Sequence, residues 1–103
     1  MEKIANVKDL KRGEYINFDY QGNKAILVKT PNNKIVAYNA VCPHEGGTII
    51  WDANINKLLC ECHLSIFNVD DGSVYKFSSI FDKINNLTPI KLEIDKKKDI
   101  YVI

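Results

Sequence analysis

The chain has 103 residues, 46% hydrophobic and 26% charged, which suits one small domain over 1–103 with a real but thin core. Its formal net charge of +1 argues against a nucleic-acid partner, which normally meets a basic face or stripe. No stretch approaches the roughly 20 apolar residues that cross a bilayer, and Met1-Glu2-Lys3-Ile4-Ala5-Asn6 holds no apolar secretory core. Three cysteines, an odd number, do not make a disulfide framework, so the expectation is a monomer in the reducing cytoplasm with no membrane partner.

Along the chain, short strand-like runs alternate with turn residues. Ile16, Phe18 and Tyr20 alternate with Tyr15, Asn17 and Asp19, a period of two that predicts a half-buried strand. Gln21-Gly22-Asn23 turns it into Lys24-Ala25-Ile26-Leu27-Val28-Lys29, predicting a hairpin. Pro31-Asn32-Asn33 is a second turn, followed by Ile35-Val36-Ala37-Tyr38. Lys57-Leu58-Leu59, Ile66-Phe67-Asn68-Val69 and Ser73-Val74-Tyr75 read as further strands, the last two separated by Asp70-Asp71-Gly72. Ser79-Ile80-Phe81-Asp82 has the form of a capping box, and Ile80, Phe81, Ile84 and Leu87 recur at helical spacing, predicting a short helix over 79–86. Ile90, Leu92 and Ile94 alternate with Lys91, Glu93 and Asp95, and Lys96-Lys97-Lys98-Asp99 turns that strand into Ile100-Tyr101-Val102-Ile103. Many short strands with frequent turns predict an all-β fold of stacked antiparallel sheets.

Both histidines and all three cysteines lie between Cys42 and His63. They form Cys42-Pro43-His44 and Cys60-Glu61-Cys62-His63, two short segments that each offer a thiolate and an imidazole. In an extended loop Cys42 and His44 point the same way, and Pro43 stiffens the backbone between them. The spacing Cys60-x-x-His63 suits a tight turn that folds both ligands onto one centre, and Gly46 and Gly47 give the first loop freedom of path. Two sulfur and two nitrogen donors suit either zinc or a [2Fe–2S] cluster with mixed ligation. With both imidazoles committed to a metal, no nucleophile–base pair remains.

Cys42-Pro43-His44-Glu45-Gly46-Gly47 and Cys60-Glu61-Cys62-His63-Leu64-Ser65-Ile66-Phe67, with Gly72 downstream, resemble the two cluster-binding motifs of Rieske ferredoxins. The resemblance implies stacked antiparallel sheets with the cluster at one exposed tip. It implies that Cys42 and Cys60 bind one iron and that His44 and His63 bind the other. Ser65 matches a position whose hydroxyl donates to a cluster sulfide, and Phe67 one where high-potential members carry a tyrosine. Leu64 departs from the family's usual glycine, Glu61 from its common proline, and 76–87 stands where a Gly-Pro segment covers the cluster. Cys62 matches a disulfide-forming cysteine of the respiratory members, but its partner position is Gly47, so Cys62 is expected to be a free thiol; the rival is that it replaces Cys60 as a ligand.

The function implied is a soluble one-electron carrier passing electrons from a flavin reductase to a terminal oxygenase or another redox enzyme. Glu45 and Glu61, with no Lys or Arg from Cys42 to Asn56, predict a weakly acidic tip. Two other readings stand beside it: a permanently bound small subunit of an oxidoreductase such as nitrite reductase, and a structural zinc domain. Trp51 and Tyr38 flank the first loop, and core packing is the expected role of each.

Overall fold

The computed structural model describes residues 2–41, 48–61, 65–76 and 86–103. The ten strands in it are β1 (Glu2–Asn6), β2 (Tyr15–Tyr20), β3 (Asn23–Lys29), β4 (Ile35–Asn39), β5 (Ile49–Asp52), β6 (Lys57–Cys60), β7 (Ile66–Asn68), β8 (Val74–Lys76), β9 (Leu92–Ile94) and β10 (Asp99–Val102). They form three antiparallel sheets in the orders β1-β10-β9, β2-β3-β4 and β5-β6-β7-β8. The all-β expectation is met.

The sheet β2-β3-β4 is the middle layer, and the burial of β3 shows why. Ala25, Ile26, Leu27 and Val28 are all fully buried, an unbroken apolar run rather than an alternation. Because successive side chains leave opposite faces of a strand, the run supplies two cores at once. Ile26 and Val28 join Tyr38, Ala40, Ile49, Trp51, Leu58, Cys60 and Phe67 on one face. Ala25 and Leu27 join Leu10, Ala37, Ile90, Ile100 and Val102 on the other. The neighbouring β2 keeps its alternation, with Ile16, Phe18 and Tyr20 turned to that second core and Tyr15, Asn17 and Asp19 exposed.

Local chemistry sets the turns. The β2–β3 hairpin closes through Gln21 and Gly22, both at positive φ (52° and 80°), the form that matches strand twist in a two-residue loop. Gly72 has φ +76°, and a Cβ there would stand 2.7 Å from Cε1 of Tyr38, so ring and backbone need the missing side chain. The Tyr38 hydroxyl donates to the Val69 carbonyl at 2.7 Å, which locks the 70–72 turn against β4.

Some sequence expectations shift. β1 and β5 have no counterpart in the reading by periodicity, because β1 is short and mixed in polarity and β5 is fixed by pairing with β6. The strand expected from Ile90 starts at Leu92. Before it, the chain crosses β4, where the Ile90 amide donates to Ala37 and the Asn39 amide to Thr88. The helix expected over 79–86 lies outside the described residues save Asn86, which is in neither helix nor strand. Its side-chain oxygen accepts from the Val74 amide at 3.0 Å.

Burial raises the Tyr38 hydroxyl to about 12, with Asp71 and Asp70 adding to the effect. A phenol held neutral in the fold but free to ionise when unfolded stabilises the protein fully below its ordinary value of about 10, and that contribution fades as pH rises toward about 12. Denaturant melts between pH 9 and 12 should therefore show a loss of stability that is smaller in Tyr38→Phe. At neutral pH the same variant, leaving the Val69 carbonyl without its donor, should lose about 1–3 kcal/mol.

Candidate metal centre

The bases of the two cysteine–histidine loops are built by β4, β5 and β6. Val41 and Thr48 form an isolated antiparallel bridge that closes the first loop at its root. Just inside it, the Ile49 amide donates to the Ala40 carbonyl at 3.0 Å. Ile49 also pairs with Cys60 across β5 and β6, so the first loop ends beside the residue that starts the second. The Glu61 amide donates to the Thr48 carbonyl at 3.0 Å, joining the two loop roots directly. The second loop is pinched shut by the Cys60 amide, which donates to the Ser65 carbonyl at 2.9 Å.

Cys60 and Ser65 are both fully buried, whereas Glu61 and Val41 are exposed. Cys60 shares a core cluster with Ile49, Leu58 and Phe67, an apolar wall that keeps water from its sulfur. Cys42, His44, Cys62 and His63 lie outside the described residues. Among the described residues no three Cys, His, Asp or Glu side chains gather as a metal site. What the structure brings together is the frame: Cys60, Ser65 and the two roots from which the other sequence-predicted ligands extend. That frame fits a two-loop, sulfur–nitrogen donor set, because one thiol is already at the shared root and in a dry setting.

Two aromatic residues next to the first loop resolve as packing. Trp51 and Tyr38 are 8% and 2% exposed and belong to the core that contains Cys60. The Trp51 indole donates to the Gly13 carbonyl at 2.8 Å, tying the sheet that carries the loops to the turn before β2.

Strand pairing brings two lysine positions next to the loop roots that the linear reading of 42–56 omits. Exposed Lys24 lends its carbonyl to Ala40, and exposed Lys76 pairs with Ile66, next to Ser65. Neither was visible as a neighbour of the loops, since each is brought there by strand register alone.

The family model for the Rieske [2Fe–2S] domain matches residues 1–86. The chain belongs to that family. Its cofactor is accordingly a [2Fe–2S] cluster, and the Rieske domain serves electron transfer and is not itself a catalytic centre. Among curated relatives, the chloroplastic cytochrome b6-f complex iron–sulfur subunit of Triticum aestivum is 31% identical over 84 residues, covering 80% of this chain and 36% of the relative. The corresponding subunit of Gloeobacter violaceus is 33% identical over 60 residues, covering 55% and 32%. The chain thus spans about a third of the length of the curated relatives it matches.

Solved structures agree on the fold. The plasma membrane Rieske protein PetC3 from Synechocystis PCC 6803 superimposes with a TM-score of 0.82 at 23% identity, covering 100% of this chain and 99% of that one. The ferredoxin of carbazole 1,9a-dioxygenase from Nocardioides aromaticivorans IC177 gives 0.73 at 19% identity, covering 98% and 94%.

The Trp51–Gly13 bond ties the loop-bearing sheet to the turn that leads into β2, so its loss should be felt where the loops are rooted. Trp51→Phe, which keeps an aromatic ring but no donor, should lower unfolding free energy by about 1 kcal/mol in denaturant titrations.

Proposed function

We propose that the chain is a one-electron carrier in which Cys42 and Cys60 hold one iron of the cluster and His44 and His63 the other. The observation that carries the reading is the union of a Rieske family match with two loop roots hydrogen-bonded to each other through the Glu61 amide and the Thr48 carbonyl, next to buried Cys60. When bound, the cluster takes up and gives back a single electron.

The protein's own part is to hold the loops and limit water. Burial of Cys60 among Ile49, Leu58 and Phe67 shields one thiolate from solvent and from competing chemistry. The Thr48–Glu61 and Cys60–Ser65 bonds fix the spacing of the loop roots before any partner arrives. Ser65 supplies a hydroxyl two residues after His63, and by resemblance it serves the cluster as a donor. Phe67, fully buried, offers none. Exposure of Val41 and Glu61 leaves the rim of the loops open for contact with a redox protein.

On this reading the electrons come from a reductase and go to a terminal oxygenase or a similar enzyme. The support is one of size: the dioxygenase ferredoxin is matched over 94% of its length, so a chain of these dimensions makes a complete carrier there. The free carrier would work in the cytoplasm, as the odd cysteine number suggests. A second reading, a permanent subunit of a redox complex, is favoured by the curated relatives, which are subunits of the cytochrome b6-f complex. Size-exclusion of the native material separates the two, since a shuttle elutes alone and a subunit with its complex.

The cluster assignment is tested by electron paramagnetic resonance of the reduced protein. Mixed nitrogen–sulfur ligation should give an average g below that of an all-cysteine cluster. Cys60→Ala should abolish the signal, and Cys62→Ala should keep it. The reverse pattern would move the ligand role to Cys62. With Ser65 retained and a phenylalanine at 67, voltammetry should give a potential well under the family's upper range, below about +250 mV.

A further inference from the structure

The layer opposite the loops carries a feature that electron transfer does not use. Asp95 to Asp99 forms the β9–β10 turn, closed by the Asp95 amide donating to Asp99 at 3.1 Å and the Lys98 amide to Asp95 at 3.0 Å. Lys96, Lys97 and Lys98 occupy its tip, all exposed. Lys98 holds φ +71°, a position where glycine or asparagine is the easier residue.

The two carboxylates of this turn are engaged inward. One oxygen of Asp95 accepts the Lys97 and Asp99 amides at 2.9 Å each, and the other accepts the Tyr101 hydroxyl at 3.3 Å. Asp99 accepts the Asn6 side-chain amide at 2.9 Å and pairs with Lys3 at 3.1 Å. A fourth cation joins through tertiary structure. The Val7 amide donates to the Lys98 carbonyl at 2.8 Å, and the Asn6 side chain to the Lys97 carbonyl at 3.1 Å, so exposed Lys8 stands in the turn stitched against the tip. Among the described residues none of Lys8, Lys96, Lys97 and Lys98 has a carboxylate within ion-pair distance.

We propose that this lysine tip is a docking surface for an anionic phospholipid membrane, which it meets at the periphery without crossing. The tip is a hairpin turn whose three successive lysines are all exposed, so it suits a diffuse field of negative headgroups that demands no matched shape. Exposed Ile94, directly before the turn on edge strand β9, adds an apolar side chain beside the cations. The tip belongs to the sheet β1-β10-β9, whereas the loops are rooted on β5 and β6 across the middle layer. Docking by the tip therefore leaves the Cys60 end free.

The test is co-sedimentation of the full chain with phosphatidylcholine vesicles containing 0 or about 30% phosphatidylserine. Wild type should sediment with the anionic vesicles at low salt, fall off as salt rises, and ignore the neutral ones. Each lysine near such a surface is worth about fivefold in affinity, so Lys96→Gln, Lys97→Gln and Lys98→Gln together should weaken binding on the order of 100-fold. An equal charge change at exposed Lys24, Lys34 and Lys76 should leave most of the binding in place. The proposal is overturned by equal or absent binding to both vesicles, by equal losses in the two triple variants, or by binding to soluble heparin without binding to vesicles. None of these readouts depends on the cluster, so electron transfer and membrane docking stand or fall separately.

Discussion

One strand buried on both faces holds the molecule together. The Ala25–Val28 run puts two side chains into each core, so neither outer sheet can leave without exposing apolar surface on the middle one. For a chain of this size, sharing one strand between two cores is an economical way to bury enough area. The same strand also reaches the loops, because the Lys24 carbonyl receives the Ala40 amide just before the first loop begins.

The outer layers divide the work. The four-stranded sheet, together with β4 of the middle sheet, roots the loops and surrounds Cys60 with apolar side chains, and Trp51 and Tyr38 spend their polar atoms on backbone carbonyls that brace it. The three-stranded sheet β1-β10-β9 contributes an apolar inner face and a basic rim. The loop roots and the lysine tip thus lie on opposite sides of the middle sheet, so either can change without disturbing the other's packing. Low identity alongside close superposition has the same origin: the fold needs apolar character at alternating or doubly buried positions, and many residues satisfy that.

The sequence by itself determined the all-β class, the β2–β3 hairpin and the candidate ligands. Alternation at Tyr15–Tyr20, the Gln21-Gly22 turn and the clustering of every histidine and cysteine within Cys42–His63 are local signals. It also separated core aromatics from the loops correctly, as the burial of Trp51 and Tyr38 shows. Family membership was legible for the same reason, since two short motifs of fixed spacing carry it.

Tertiary structure alone decided what depends on pairing between distant segments. β5 becomes a strand because β6 is there to pair with it, and Ile90 bonds across β4 instead of extending β9. Lys24 and Lys76 reach the loop roots by register, and Lys8 reaches the lysine tip through Val7 and Asn6. A period of two says which face a side chain takes; it carries no information about which strand lies alongside, because that choice is made by burial and hydrogen bonding over the whole chain.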